Sequence, residues 1–594
     1  MSDFESVPLP PSLRKRFYEP VILLDALRGV YRQDESISEP DLESGTGKSQ
    51  KETYFCFLNK LSQICDSQKK KDFGKTVSAI VVLEPGSIEY RLASNKRDSR
   101  ELDTATEYLT DILNVLGHVT DQQVNDKAFM ATVSSGILHK ILAFNRTRVE
   151  LYLNDLVEND RLDFCVNSSA TGQTADAKSV AEALRSLQPH IQAARGASQL
   201  SNDDFVRHSE ALLQTIHKHY EPTLEDYMKQ KTRGENNMVD SPWNDVRHAL
   251  GRLLSYFIAI KVLISARKYW PRLFVDFEVT SIPSSQPQSD PPAIRRNASG
   301  IISRMSRSKA VADAYQERAR HLQAHKLDER IRDRVKPNRF QPIVHAEVNL
   351  LTSVLASQAA AERDGEDPLR FFHEAEFGAY IGSSKPTCLL CAQYFKAHPS
   401  GVACRASHGN LYFNWRAPDV SVDDGPAADQ QRRDILEAMV KEVRNETTRA
   451  ILERSYTRRK HDSWDTPSNP LRSSTVGATL GWGAEEDELA SRMGQVNLDT
   501  RGSMRSGGVM GTDRRSARSG GGMGVDRGSV RSGGGLDMLA RARGIDQAST
   551  MGQINDTSSM RAWSDGSRET TPEAPTHVED NEEDDDEDGG GAKL

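Results

Sequence analysis

The sequence predicts an α/β protein that carries a large helical block and a disordered C-terminal tail. A helical pattern followed by a β-hairpin pattern lies within the first hundred residues. Helical periodicity then continues almost without interruption from about residue 100 to about residue 270. After about residue 465 the chain is dominated by Gly, Arg, Ser and acidic residues, which bury too little apolar surface to offset their ordering entropy.

The bulk properties fit such a mixed chain. A length of 594 residues is too great for one compact core and indicates about two to four domains. The hydrophobic fraction of 37% and the mean hydropathy of −0.60 are low for a wholly globular chain. The net charge of −8 gives no general attraction for nucleic acid, although a local basic groove remains compatible with it. The six cysteines are too few for a disulfide scaffold and favour a reducing compartment.

Residues from about 50 to 95 predict a helix and then two strands joined by a tight turn. Apolar residues recur at helical spacing over 54–64. The stretch 76–83 is rich in Val and Ile, and 88–93 resumes with alternating apolar residues. Between them, Glu-Pro-Gly-Ser at 84–87 is a typical turn sequence.

The helical block offers no pattern of catalytic residues. Its histidines are scattered, with neither carboxylate partners nor cysteines at ligand spacing, and we interpret them as ordinary surface or core residues. They are His190, His208, His217, His219 and His248.

The most apolar run, 253–266, contains Lys261 and is too short to cross a bilayer, so we expect a buried core helix and no membrane association. Residues 1–16 lack the apolar segment of a secretory signal, and we expect an intracellular protein, cytoplasmic or nuclear.

The chain between the helical block and residue 340 is charged and poor in large apolar residues. A strand is predicted over 273–279, a Pro- and Ser-rich linker over 281–299, and a charged helix over 303–334. The arginines of this helix invite a nucleic-acid interpretation. Because Glu317, Asp328 and Glu329 lie among them, a solvated helix face is the favoured interpretation.

Chemistry is concentrated in two short motifs, His345-Ala346-Glu347 and Cys388-Leu389-Leu390-Cys391. One imidazole and two thiolates supply three of the four tetrahedral ligands that zinc prefers, which leaves one position for water. A carboxylate two residues from the histidine can move protons without binding the metal. We therefore expect His345, Cys388 and Cys391 to bind Zn²⁺ and Glu347 to act as the general acid and base.

The surrounding sequence places both motifs at the starts of helices. A short approach, 340–344, leads to a helix that begins near His345, and a strand over 377–381 precedes a second helix that opens at Thr387 or Cys388. A helix N-terminus lowers thiol pKa values, which helps both cysteines to become thiolates. Two alternatives remain. The motifs could be unrelated, or the zinc site could be structural and closed by a fourth ligand such as His373, His398, Cys404 or His408.

The motif region resembles the cytidine-deaminase-like superfamily. More narrowly, it is similar to a fungal family of predicted nucleic-acid or nucleotide deaminases that is related to deaminase domains of bacterial toxins. The matching segments are 342–347, 384–391 and 407–415. The resemblance implies a three-layer α/β/α fold with a helix, a β-hairpin, the histidine helix, a strand, the cysteine helix and further strands and helices. In that scheme, 402–407 and 411–415 are strands and 435–452 is a closing helix.

A charged helix, and no hairpin, stands directly before His345, so we assign the hairpin at 76–93 to the deaminase sheet. The chain then divides into an N-terminal arm (1–49), the first helix and hairpin (50–99), a helical insertion or domain (100–300), the zinc deaminase core (301–460) and the disordered tail (461–594). Asn95, just after the second strand, occupies the place where superfamily members often carry a substrate-binding Asn.

The resemblance implies hydrolysis of the amino group of a cytosine or adenine base in a nucleotide or nucleic acid. Ser384 and Lys385 are candidates to line the pocket, and Trp415 is a candidate to stack on the base, although a buried Trp is more often part of the core. The usual Pro directly before the first cysteine is replaced by Thr387, with Pro386 one position earlier.

Two other function classes remain open. The chain could be a non-catalytic interaction scaffold that keeps a zinc-bound deaminase-like fold and binds protein partners through its helical region and tail. It could instead bind nucleic acid through the Arg- and Gly-rich tail, in which case binding would be lost on truncation after about residue 465.

Overall fold

The computed structural model describes residues 6–28, 33–34, 49–67, 77–84, 86–197, 201–219, 222–234, 241–288, 293–306, 309–453 and 456–457. The tail expected to be disordered, 461–594, lies outside these residues, as does Pro85 of the hairpin turn.

A mixed sheet forms the centre of the described structure. A separate parallel pair of two-residue strands joins β1 (Gln33–Asp34) to a strand near residue 456. The strands of the main sheet are β2 (Ser78–Glu84), β3 (Ile88–Ser94), β4 (Phe277–Ile282), β5 (Arg370–Phe371), β6 (Tyr380–Ser383) and β7 (Ala403–Cys404), and the strand paired with β1 is β8 (Tyr456–Thr457).

The hairpin β2–β3 belongs to the main sheet, as the sequence indicated. β2 pairs antiparallel with β3 on one side and with β6 on the other, where Ala79 is opposite Ser383. β7 continues the sheet parallel to β6, and β4 extends it parallel to β3. The order β4-β3-β2-β6-β7 therefore brings the hairpin beside the strand that leads to the cysteine motif.

The helices of the described residues occupy both faces of the sheet and a block beside it. They are α1 (Pro11–Arg28), α2 (Gln50–Ile64), α3 (Ser99–Gly117), α4 (Lys127–Phe144), α5 (Arg146–Val157), α6 (Arg161–Ala170), α7 (Ala175–Ala197), α8 (Asn202–His219), α9 (Pro222–Gly234), α10 (Pro242–Tyr269), α11 (Ala298–Ile302), α12 (Lys309–Leu322), α13 (Leu327–Arg334), α14 (Ala346–Asp364), α15 (Glu374–Phe377), α16 (Leu389–Ala397) and α17 (Gly425–Glu453).

Two hydrophobic cores show the layered arrangement, because successive residues of β2 point to opposite faces. Ile80 and Val82 lie in a core with α2. Val81 and Leu83 lie in a second core with α1, α14, α16 and α17. The sheet thus separates two helical layers, which confirms the α/β/α fold.

The helical block α3–α10 connects β3 to β4 and shares the α2 core. Its longest helix, α10, is long and apolar enough to span a membrane, but its most apolar window is wholly buried within the fold. Such burial is typical of a core helix and agrees with the expectation of a buried core helix over 253–266. The expectation that this run is too short to cross a bilayer was wrong, because the helix extends from Pro242 to Tyr269. Lys261 is also buried and lies 3.0 Å from His217 Nε2.

Several local expectations were wrong. The strand expected at 273–279 begins at Phe277, after a 3₁₀ turn (Pro271–Phe274). The single charged helix is two helices, because Lys326 adopts a left-handed backbone conformation between α12 and α13. The segment 411–415 forms one isolated bridge, Ile343 to Trp415, and no strand. Arg28 donates to the carbonyls of Leu411 and Gly409, which are therefore engaged outside a β ladder.

Gly382 lies close to the backbone of α2. A Cβ atom built at Gly382 would lie 2.6 Å from the carbonyl carbon of Leu58. Because that contact involves backbone, Gly382→Ala should force the helix and strand apart and lower the free energy of unfolding by about 1–3 kcal/mol. Urea denaturation followed by circular dichroism measures the change.

The matched control is Gly136→Ala in α4, where an added Cβ meets nothing within 4 Å. Since Ala favours helix more than Gly does, this variant should be as stable as the wild type or more stable. Equal stability of Gly382→Ala and wild type would contradict the close approach.

Candidate metal centre

His345 stands at the N-terminus of α14 and faces both cysteines. It is the N-cap residue, with extended backbone angles, and its ring is buried. Its Nδ1 atom lies 3.5 Å from Cys388 Sγ and 3.4 Å from Cys391 Sγ. The first N–H group of the helix, at Ala346, donates to Asn95 Oδ1 at 2.7 Å.

The two cysteines stand at the N-terminus of α16. Cys388 is the N-cap residue, and its sulfur accepts a hydrogen bond from the backbone N–H of Cys391 at 3.4 Å. Both thiols are buried. The donor atoms of His345, Cys388 and Cys391 all lie within 4.8 Å of one another, so two helix N-termini converge on one point.

The local backbone accounts for Thr387 in place of the usual Pro. The N–H of Thr387 donates to Ala406 O at 3.2 Å, and its carbonyl accepts from His408 N at 3.0 Å. A Pro at this position has no N–H and could not make the first bond. Thr387 therefore adds a hydrogen bond between the residue before Cys388 and the segment that follows β7.

The electrostatics favour a charged donor cluster. At Cys388, burial opposes ionisation, but hydrogen bonding with Cys391 and the nearby His345 hold the thiol pKa well below its usual value. At His345, burial disfavours the charged ring, but the Cys388 thiolate outweighs burial and raises the imidazole pKa. Burial raises the pKa of the Cys391 thiol, and the neighbouring Cys388 raises it further. A cation among these donors would favour the deprotonated state of both sulfurs.

The donor set fits zinc. Two sulfurs and one imidazole nitrogen are ligands of catalytic zinc sites that retain a water position. Among the described residues, the cluster contains no fourth His, Cys, Asp or Glu donor.

The proposed fourth ligands are engaged elsewhere. His398 Nδ1 lies 2.9 Å from Ser400 Oγ, His408 Nδ1 accepts from Asn410 N at 2.9 Å, and His373 Nδ1 lies 3.2 Å from Glu376 Oε2. Cys404 is half-buried in β7 and also lies outside the cluster.

Glu347 lies beside the cluster without belonging to it. Its side chain is buried, and burial raises the pKa of the carboxyl group, while the nearby His345 charge opposes that increase. The hydroxyl of Ser383 donates to Glu347 Oε1 at 3.0 Å. Ser383 is itself fixed, because its N–H donates to Asn59 Oδ1 at 3.0 Å and it pairs with Ala79 in the sheet.

The residues proposed to bind substrate have different surroundings. Asn95 holds the first turn of the histidine helix and so lies beside the cluster. Ser384 is buried and donates to Asp66 Oδ2 at 3.2 Å, and Lys385 Nζ lies 3.9 Å from the same oxygen. The substrate-binding roles of these three residues stay predictions.

Trp415 lies in the core. Its side chain is fully buried, and its ring centroid is 5.7 Å from that of Phe17 and 5.8 Å from that of Tyr394. A base could not stack on this indole unless the core opened. The structure therefore favours the core interpretation that the sequence left open.

Tyr412, which was not singled out from the sequence, is an aromatic residue near the cluster. Its ring centroid lies 6.4 Å from the His345 imidazole, and the residue is half-buried. The signal was its position in the motif segment 407–415. A strand was expected there, but the actual path is irregular. The strand pattern therefore did not show which of Tyr412 and Trp415 lies near the cluster.

Comparison with known families found a match to a deaminase family. Residues 344–419 match the family model described as OTT_1508_deam-like deaminase. The matched segment contains His345, Glu347, both motif cysteines and Tyr412. No curated protein and no solved structure matches the chain. The match confirms that this segment resembles a deaminase family.

Removal of one sulfur should abolish metal binding. For Cys391→Ser we expect zinc content to fall from about one ion per chain toward zero, because a neutral hydroxyl is a poor zinc ligand. Elemental analysis of the purified protein measures the content. Cys404→Ser removes a nearby thiol outside the cluster and should keep the zinc. Full zinc in Cys391→Ser, or none in the wild type, would contradict the assignment.

Proposed function

We propose that the protein is a zinc-dependent hydrolytic deaminase that acts on a cytosine or adenine base in a nucleotide or nucleic acid. The observation that carries this proposal is the convergence of His345, Cys388 and Cys391 beside a buried carboxylate that is not a donor in the cluster. A purely structural zinc site would not require Glu347. The deaminase match over 344–419 supports the same reaction class.

Different residues of the chain supply different parts of the proposed reaction. When bound by the three donors, zinc would lower the pKa of water toward neutrality. Glu347 takes a proton from the attacking water and passes it to the ring nitrogen next to the attacked carbon. The second water proton, left on the new hydroxyl group, is then moved by Glu347 to the amino nitrogen, so that the carbon–nitrogen bond breaks, the ring carbon becomes a carbonyl carbon and ammonia leaves. The raised pKa of Glu347 suits a group that must both accept and donate a proton near neutral pH.

Ser383 positions this carboxylate. Its hydroxyl donates a hydrogen bond to Glu347 Oε1, so that Oε2 is the oxygen that exchanges protons. Tyr412 supplies a half-buried aromatic ring near the donors, on which a planar base can pack. Asn95, through its bond to Ala346, supports the helix that carries both His345 and Glu347.

Replacement of Glu347 separates an enzyme from a non-catalytic scaffold. Glu347→Ala should lower ammonia release by at least about 100-fold, because it removes the group that moves the proton. Zinc content and the melting temperature should stay close to those of the wild type, since Glu347 lies outside the donor set. The assay measures ammonia from cytosine- and adenine-containing nucleosides, nucleotides, DNA and RNA. If zinc-loaded wild-type protein releases none from any of them, the scaffold function is favoured.

Ser383→Ala tests how the carboxylate is positioned. Loss of one buried hydrogen bond of about 1–2 kcal/mol should lower kcat by roughly 5- to 30-fold and shift the pH profile of kcat, with KM nearly unchanged. The matched control is Ser62→Ala in α2, which removes a buried hydroxyl bonded to Leu58 O at 2.8 Å, away from the cluster. A similar kcat in both variants would contradict a positioning role.

A further inference from the structure

A strongly basic surface lies along α13 and the loop after it. A cavity of about 540 Å³ on this surface is lined entirely by charged side chains, of which five are basic and two acidic. The lining residues are Lys326, Glu329, Arg330, Arg332, Asp333, Arg334 and Lys336. We call these five cations, together with Arg339 in the following loop, the α13 basic surface.

The acidic residues neutralise this surface only in part, although Asp25 on α1 pairs with Arg334 at 2.7 Å. Asp328, one of the acids that favoured a solvated helix face, instead accepts from Ala298 N at 2.8 Å and from Gln323 Nε2 at 2.9 Å. Glu317 lies in the separate helix α12. Glu329 lies 3.5 Å from Lys326. The charge pattern that looked balanced in the sequence is therefore uneven in space.

One carboxylate, Asp333, is shared by three cations of the surface. Its oxygens lie 2.9 Å from Lys336 Nζ, 3.0 Å from Arg339 Nη1 and 3.4 Å from Arg334 Nη1. The side chains of Lys336 and Arg339 remain 59% and 55% exposed, so both can still reach a ligand in solution. The surface keeps a positive excess although the whole chain carries −8. A polyanion is thus attracted to this place.

The α13 basic surface adjoins the metal centre through the segment 409–414. The guanidinium carbon of Arg334 lies 5.9 Å from the ring centroid of Phe413, the neighbour of Tyr412. Asn414 Nδ2 donates to the carbonyl of Arg339 at 2.9 Å. Arg28 donates to Leu411 O on the same segment. The rings of Phe413 and Tyr412, which are neighbours in the chain, therefore lie near the α13 basic surface and near His345, respectively.

We propose that the α13 basic surface binds the phosphodiester backbone of single-stranded nucleic acid, so that the base deaminated at the metal centre belongs to a polymer. Arginine and aromatic side chains together are typical of surfaces that hold single strands, since the cations contact phosphates and the rings contact bases. A single strand presents its bases unpaired to a buried site, whereas a duplex must first flip the target base out of the stack. The inference rests on the proposed function for its link to deamination.

The test uses full-length protein with the double substitution Lys336→Gln and Arg339→Gln. The probes are fluorescein-labelled 20-nucleotide single-stranded DNA and RNA of mixed sequence, and fluorescence anisotropy is measured between 50 and 200 mM salt. Loss of two phosphate contacts should weaken binding roughly tenfold or more and make the logarithmic salt dependence shallower by about one to two. The DNA and RNA probes show which sugar is preferred.

The matched control is Lys140→Gln with Arg207→Gln in the helical block. These two cations are also exposed and also pair with aspartates, Asp111 and Asp204. The control should bind as the wild type does. Wild-type affinity in the α13 double variant, including binding that resides elsewhere in the chain, would overturn the proposal. Equal competition by polyglutamate of the same length would also overturn it, because the surface would then recognise acidic peptides.

The outcomes separate this inference from the proposed function. Surface-dependent binding without ammonia release would support the nucleic-acid surface and contradict the deaminase. Ammonia release from free nucleosides by a protein that binds neither oligonucleotide would support the deaminase and overturn the surface.

Discussion

The rest of the site depends on the convergence of two helix N-termini on one point. The Nδ1 atom of His345 lies within 3.5 Å of both sulfurs, although the histidine and the cysteines belong to two different helices, α14 and α16. Three buried donors this close repel or share protons unless a cation joins them. That constraint places Glu347 beside the donors, since it follows His345 by two residues in the same first turn. It also fixes the loop after Ser383, because that loop leads from the end of β6 to Cys388.

The helical block stabilises this loop through a buried carboxylate, Asp66, that both contact. Arg148, on α5, pairs with Asp66 at 2.7 Å, and the same carboxylate accepts from Ser384. Lys385 is the second cation near Asp66. Buried charges are stable only when partnered, so removal of the carboxylate would leave two cations in the interior. The block is therefore joined to the loop before Cys388 by polar contacts as well as by the shared hydrophobic core. It is part of the structure that shapes the site.

The sequence predicted the parts governed by local pattern. The hairpin, both motif helices and the three donors follow from periodicity, turn residues and ligand spacing, and the structure brings those donors together. It did not predict the irregular path of 409–414, because hydrogen bonds from Arg28, distant in the chain, shape that segment. Tyr412 could therefore not be distinguished from Trp415. Nor could the sequence show that Asp328 turns toward α11, which depends on a contact with Ala298.

The central position of β2 has a consequence for synthesis of the chain. One edge is filled by β3, which follows within a few residues, and the other by β5 and β6, which follow about three hundred residues later. At ribosomal speeds of about 5–20 residues per second, the second edge waits roughly 15–60 s for its partner. During that interval an apolar strand with unpaired backbone groups is open to pairing with other nascent chains. The protein should therefore rely on chaperones while it is being made, and shortening the intervening helical block would shorten that dependence.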